Sequence, residues 1–342
     1  MTGAPPVKAR GLVKRYKEVL AVDCVDLNVH AGEVYGFLGP NGAGKTTTLR
    51  MLLGLIMPTD GHVELFGRDP IAQGARALSG VAGFVEAPRF YPYLSGRKNL
   101  EMMAALDGGD AASRVSEVLR VVDLEGAQNH RAGTYSHGMG QRLGIAGALL
   151  RDPRLLILDE PSTGLDPAGI RDMRELVRGL ADEGITVLLS SHQLQEVQEV
   201  CDRVAIIRAG RIAYEGPLAE LRGSSDRGYR LRTGDDARAL EIARAQQGIH
   251  ELQAGHQEIS FNASEPDAGA LSIALGQAGV AIFSLAPAHA TLEDIFFELT
   301  EGAGVAANGG FGDGLGTPHG SPEQAAPAQT AQAGAGDPGG AK

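Results

Sequence analysis

"GPNGAGKTTTLRMLLGL", residues 39–55, sets three glycines and a lysine ahead of three threonines and an apolar-rich run. It spells G-x-x-x-x-G-K-[ST] across Gly39, Pro40, Asn41, Gly42, Ala43, Gly44, Lys45 and Thr46, with Thr47 just beyond. This is the pattern of a loop that wraps phosphates in backbone N–H groups. The chain holds 48 glycines in 342 residues, about twice the usual share, so the pattern counts only in the right surroundings. Upstream, "EVYGFLG" is a nearly continuous apolar run that suits a strand buried on both faces. Downstream, a helix is expected from about Lys45, with Leu49, Leu52, Leu53 and Ile56 along one stripe. Strand, glycine loop and helix follow in the order that phosphate binding requires. Lys45 then reaches the β- and γ-phosphates, and the Thr46 hydroxyl becomes a ligand for Mg2+.

Composition bounds what surrounds this loop. The 31 basic and 42 acidic residues leave a net charge of −11, which argues against a broad nucleic-acid partner. The two cysteines, Cys24 and Cys201, lack C-x-x-C spacing and read as ordinary thiols in a reducing compartment. No stretch reaches the ~18 apolar residues of a membrane span, and "MTGAPPVKARG" lacks the apolar core of a signal peptide. The expected location is the cytoplasm, with any membrane part supplied by a partner.

Along the chain, short apolar runs alternate with helical periods up to about Leu221. "TVLLSS", 186–191, reads as a buried strand. The run before it, "IRDMRELVRGL", puts Ile170, Met173, Leu176, Val177 and Leu180 on one helical face. "VAIIRAGRIAYEG", 204–216, reads as two strands about a glycine turn. The expectation is an α/β domain over 1–221 with a mostly parallel central sheet. A small α+β accessory domain is expected over 222–301, with "YRLRT" and "QEISFNA" as strands and "ARALEIARAQQ" as a helix. Residues 302–342, mostly Gly, Ala, Pro and Gln, are expected to form a disordered tail.

"LLILDEPSTGLD", 155–166, supplies a second half to the phosphate site. An apolar strand that ends in two acids delivers Asp159 to the metal and leaves Glu160 for the attacking water. A buried strand ending in an acidic turn is the plainer alternative. Between the two halves lies "YSHGMGQRLGIAGALL", 135–150, and after them "SSHQLQE", 190–196.

With the glycine loop, the 135–150 stretch, the acidic strand end, the turn "STGLD" that follows it and the histidine of "SSHQLQE" as five ordered elements, the chain resembles an ATP-binding-cassette (ABC) ATPase over about residues 7–221, a fold with a helical signature subdomain. The resemblance implies that Tyr16 stacks on adenine, that Ser136 and Gly138 contact ATP held by the opposite subunit, and that Asp166 touches that subunit. It also implies that His192 senses the γ-phosphate and that Lys45, Glu160 and His192 form the hydrolytic group. Ser136 equally suits a helix N-cap. Two positions depart from the family pattern. The usual L-S-G-G-Q is Tyr135, Ser136, His137, Gly138 and Met139, and Glu86 stands where Gln is usual, still as an expected Mg2+ ligand through water. Both variants, and the later "TLEDIFFELT" at 291–300, are similar to the daunorubicin- and bacitracin-resistance-type exporter branch. The implied protein binds ATP and Mg2+ and works as a homodimer on the inner face of the membrane. It powers a separate permease that exports a drug, antibiotic, lipid or similar hydrophobic compound. The rivals are a soluble, non-transport ABC ATPase acting on ribosomes or DNA, and a drug-immunity module.

Overall fold

The computed structural model describes residues 3–223, 228–255 and 258–288. The chain opens with two long strands, β1 (Val7–Tyr16) and β2 (Val19–Val29), paired antiparallel. β3 (Val34–Leu38) leads into helix α1 (Lys45–Leu52), and β4 (Asp60–Leu65) returns to pair with β1, closing a sheet of order β2-β1-β4. This antiparallel sheet is absent from the sequence reading, which expected one mostly parallel sheet. After the short α2 (Pro70–Gln73) and β5 (Val81–Phe84) come three helices: α3 (Gly96–Asp107), α4 (Val115–Val121) and α5 (His137–Leu149). They pack on one another as the expected helical signature subdomain. β6 (Leu155–Leu158), α6 (Pro167–Asp182), β7 (Thr186–Ser191), α7 (Leu194–Val200) and β8 (Arg203–Arg208) complete the α/β alternation.

The main sheet runs β5-β6-β7-β3-β8 in parallel. It is closed at one edge by β9 (Arg211–Pro217), antiparallel to β8 as the 204–216 hairpin predicts. β3, β6 and β7 are buried at every position. Their period-2 alternation divides the core between two faces. Val34, Leu38, Leu156, Leu158, Val187 and Leu189 meet the α3–α7 layer, whereas Tyr35, Phe37, Leu155, Ile157 and Leu188 meet α1 and the antiparallel sheet. Each such side chain stabilises the fold by roughly 1.5–3 kcal/mol relative to exposure.

α6 shows the local logic. Pro167 opens it with φ already set, and the Asp166 carboxylate accepts from the Gly169 N–H at 2.9 Å. Its inner face is Met173, Val177 and Leu180, with Leu176 partly buried beside them. Cys201 is buried, close to Gly36, and Cys24 on β2 is exposed.

After α8 (Leu218–Gly223), a second sheet of order β11-β12-β10-β13 comprises β10 (Gly228–Thr233), β11 (His250–Ala254), β12 (Ile259–Asn262) and β13 (Ile282–Ala288), with α9 (Asp236–Arg244) and α10 (Glu265–Gln277). Its own core is built around Leu231, Ile259, Phe261 and Leu271. The expected strand "YRLRT", the expected helix that follows it and residues 258–263 of the expected strand "QEISFNA" lie here. "TLEDIFFELT" and the 302–342 tail lie outside the described residues.

Candidate functional site

The phosphate loop leaves the end of β3, where the Gly39 N–H donates to the Ser191 carbonyl at 3.2 Å. Glycine is required at both ends of the loop. A Cβ on Gly39 falls 2.4 Å from the Ile207 carbonyl oxygen. One on Gly44 falls 2.6 Å from that of Ala21, and Gly44 sits at φ 109°. Pro40, Asn41, Gly42 and Ala43 span the arc, pinned where the Gly210 N–H donates to the Ala43 carbonyl at 3.0 Å. α1 starts at Lys45 with no side-chain cap. Its first N–H groups, including those of Thr46 and half-buried Thr47, therefore carry the positive helix end toward an anion. Lys45 is 95% buried, and its ammonium donates to the Gly39 carbonyl at 2.7 Å and pairs with Glu160 Oε1 at 3.1 Å.

The two acids at the end of β6 sit in different surroundings. Asp159 is buried, and it accepts from the Thr46 hydroxyl at 2.8 Å and the Ser190 hydroxyl at 2.5 Å. Glu160 has a left-handed backbone, φ 49°, uncommon for a side chain of this size. Its N–H donates to Ser190 Oγ at 2.9 Å. Its Oε2 accepts from the Thr163 hydroxyl and from His192 Nδ1, both at 2.6 Å. The carboxylate only accepts, so the His192 ring carries a proton on Nδ1. Burial raises the Glu160 pKa, but the Thr163, Lys45 and His192 contacts together outweigh it and hold the carboxyl below the usual range. Glu160 is thus ionised and accepting near neutrality, and its share of stability is lost only as pH falls through that depressed value.

Lys45, Thr46, Asp159, Glu160 and His192 are therefore brought together as the sequence predicts. Ser190 and Thr163, which tie Asp159, Glu160 and the turn into one group, were missed. Ser190 carries a readable signal, since a hydroxyl next to the end of a fully buried strand needs a hydrogen-bond partner. Glu86 is not brought in. It stands at φ 71° with its side chain 62% exposed, and its carboxylate pairs with Arg50 of α1. Tyr16 ends β1 with its ring exposed and Lys14 Nζ 5.1 Å from the ring centroid. Ser136 caps α5, accepting from the Met139 N–H at 3.2 Å, as its plainer reading expects. Between that cap and the Asp166 cap of α6 lies an open cleft of about 370 Å³, lined in part by Ser136, His137, Gly138, Leu165 and Asp166.

Glu196 is a further buried acid behind His192. Its Oε2 accepts from Ser191 Oγ at 2.9 Å, and its Oε1 has no hydrogen-bond partner among the described residues. Burial pushes its pKa up, against the Ser191 hydrogen bond and the nearby His192 and Arg174. A raised carboxyl pKa means that the folded state prefers the proton, so the group costs stability as pH rises through its ordinary value to the raised one. Glu196→Gln, which mimics the neutral form, is expected to raise the melting temperature at pH 8 and to leave it unchanged near pH 4. Equal shifts at both pH values would show that the substitution acts through packing alone.

Residues 22–163 match the family model described as ABC transporter. Over 302 residues the chain is 38% identical to the bacitracin transport ATP-binding protein BcrA of Bacillus licheniformis, a match covering 87% of this chain and 98% of that one. This chain belongs to the ABC transporter family. It is also 37% identical to the daunorubicin/doxorubicin resistance ATP-binding protein DrrA of Streptomyces peucetius, over 86% of this chain and 92% of the relative. Among solved structures, the ATP-binding subunit of an ABC transporter superposes with a TM-score of 0.57 at 29% identity, covering 64% of this chain and 92% of the other. An ATP-binding cassette solved as a dimer in a post-hydrolysis state with ADP and Pi gives 0.56 at 26% identity, covering 62% and 98%. As an ABC ATPase the chain binds and hydrolyses ATP. Among the described residues no helix is long and apolar enough to cross a membrane.

Proposed function

We propose that this ABC ATPase is the nucleotide-binding subunit of an exporter, acting as a homodimer beneath a separate membrane permease at the cytoplasmic face. The observation that carries the hydrolytic half is the ionised Glu160, held between Lys45, Thr163 and His192 at the mouth of the phosphate loop. On this reading the loop N–H groups and Lys45 bind and orient the β- and γ-phosphates, Glu160 accepts the proton of the attacking water, and His192 steadies the carboxylate from the other side. Thr46 and Asp159 would hold Mg2+: two oxygen donors already 2.8 Å apart suit a hard cation. When bound, Mg2+ neutralises charge on the phosphate oxygens. Tyr16 offers an exposed ring for adenine, and Asp166 an edge for the partner subunit. Glu86 serves as a Mg2+ ligand only by leaving Arg50.

The dimer follows from economy of parts. The sequence holds one phosphate loop and one signature, so a site in which Ser136 and Gly138 face a nucleotide held elsewhere needs a second copy. The exporter reading leans on the bacitracin and daunorubicin relatives, whose names carry transport and resistance, and it extends to drugs, antibiotics, lipids or similar hydrophobic cargo. We also read 1–221 as the cassette and 222–301 as an accessory domain. The rival soluble ATPase or immunity module makes a different prediction. Purified from detergent-solubilised membranes, the exporter subunit is expected to bring down a polytopic membrane chain in equal amount, and that chain is expected to stimulate ATP turnover. Recovery from the soluble fraction alone, with turnover indifferent to added membranes, favours the rival.

A further inference from the structure

His137 occupies the signature position where the family pattern has glycine, and it makes a contact that glycine has no side chain to make. Its Nε2 lies 2.9 Å from the Thr163 carbonyl oxygen. A carbonyl only accepts, so Nε2 carries the proton and donates. The ring also rests against Gly164, at φ 78°: a Cβ there would lie 3.3 Å from His137 Cδ2. Gly164 and Thr163 are the middle of the turn that begins at Glu160 and ends at Asp166. Inside that turn the Thr163 N–H donates to the Glu160 carbonyl at 3.1 Å, and the Leu165 N–H to the Ser162 carbonyl at 3.2 Å. The Thr163 hydroxyl closes the chain of contacts by donating to Glu160 Oε2 at 2.6 Å. One imidazole at the head of α5 thus grips the peptide whose side chain orients the Glu160 carboxylate.

We propose that His137 is a positioning residue for ATP hydrolysis, acting through Thr163 on Glu160. The proposal rests on the reading of Glu160 as the group that accepts the water proton. Held at Oε2 by Thr163 and His192 and at Oε1 by Lys45, the Glu160 carboxylate keeps one orientation. Released by His137, the 160–166 turn lets the Thr163 hydroxyl leave Oε2, and the carboxylate gains rotamers that do not face the water. Orientation losses of this kind lower kcat and leave nucleotide affinity alone. The ring is exposed, so truncating it opens no core cavity.

Steady-state ATP turnover of the full chain tests this with His137→Ala, His137→Gln, Thr163→Val, the His137→Ala/Thr163→Val double variant and Glu160→Gln. His137→Ala is expected to lower kcat about tenfold with KM for ATP unchanged within about twofold. His137→Gln returns an N–H donor and is expected to recover most of that loss. Thr163→Val removes the hydroxyl at constant shape, and the double variant is expected to be no slower than Thr163→Val alone, because both changes cut one chain of contacts. A merely structural His137 would instead give losses that multiply and a lowered melting temperature that Gln does not restore. The proposal is overturned by a His137→Ala kcat within about twofold of wild type, by multiplying losses, or by His137→Gln as slow as His137→Ala. If His137→Ala does not fold, His137→Leu, which keeps bulk and lacks an N–H donor, decides: an unchanged kcat overturns the proposal, and a lowered kcat with unchanged KM that His137→Gln restores supports it. Glu160→Gln at near wild-type speed removes the reading of Glu160 itself. A slow Glu160→Gln beside a fast His137→Ala removes only the role of His137.

Discussion

Glu160→Gln is expected to keep ATP binding and to lower turnover at least ~100-fold, a barrier increase of about 2.7 kcal/mol. The amide has nearly the shape of the carboxylate and keeps an oxygen for the Thr163 hydroxyl and the His192 Nδ1–H, so the site stays assembled. It loses the ability to take a proton. It also loses the negative charge that Lys45 pairs with at 3.1 Å, which leaves the buried ammonium to the phosphates and removes a repulsion against them. Binding therefore holds or tightens while chemistry stops, and on the dimer reading an ATP-bound dimer accumulates on a size-exclusion column. Turnover within about threefold of wild type, under ~0.7 kcal/mol, would show that another group activates the water.

The second large effect is on stability. Phe37→Ala is expected to cost about 3–5 kcal/mol, because the lost transfer energy adds to that of the cavity left behind. Phe37 is fully buried in β3, flanked in register by β7 and β8 and facing the core shared with α1 and the antiparallel sheet. Strands on both sides limit how far the cavity can collapse. For a cassette of this size the melting temperature is expected to fall by roughly 10 °C or more. Phe283→Ala, on a side chain 68% exposed, is the matched control and is expected to shift stability by less than about 0.5 kcal/mol. Comparable losses in the two variants would mean that β3 tolerates repacking.

What the sequence disclosed divides along a physical line. The β3–loop–α1 unit, the β6 strand with its two acids and the α6 face were legible because each is local. Their information lies in apolar runs, glycine spacing and caps within a few residues. The β2-β1-β4 sheet was not legible. β1 and β2 are joined through Lys17, itself at φ 51°, and Glu18, without the Asn-Gly or Asp-Gly pair that marks a tight hairpin, and β4 pairs with β1 from across the whole phosphate loop. For Glu86 the resemblance implies a metal role, and the pairing of its carboxylate with Arg50, thirty-six residues back, is an arrangement no spacing rule reaches. The ties that Ser190 and Thr163 make to the acids, and that His137 makes to Thr163, are likewise long-range or rest on the shape of one turn.

The uneven burial of the two thiols has a use at the bench. Only a thiolate reacts with common labelling reagents, and burial raises the pKa of Cys201 while closing its surroundings to solvent. Cys24, exposed on β2, is the other cysteine of the 342-residue chain. Unmodified protein therefore accepts one maleimide-linked fluorophore or nitroxide at one known address on the antiparallel sheet. No cysteine has to be engineered out first, and on the dimer reading the same reaction gives two beacons whose separation reports the distance between the subunits.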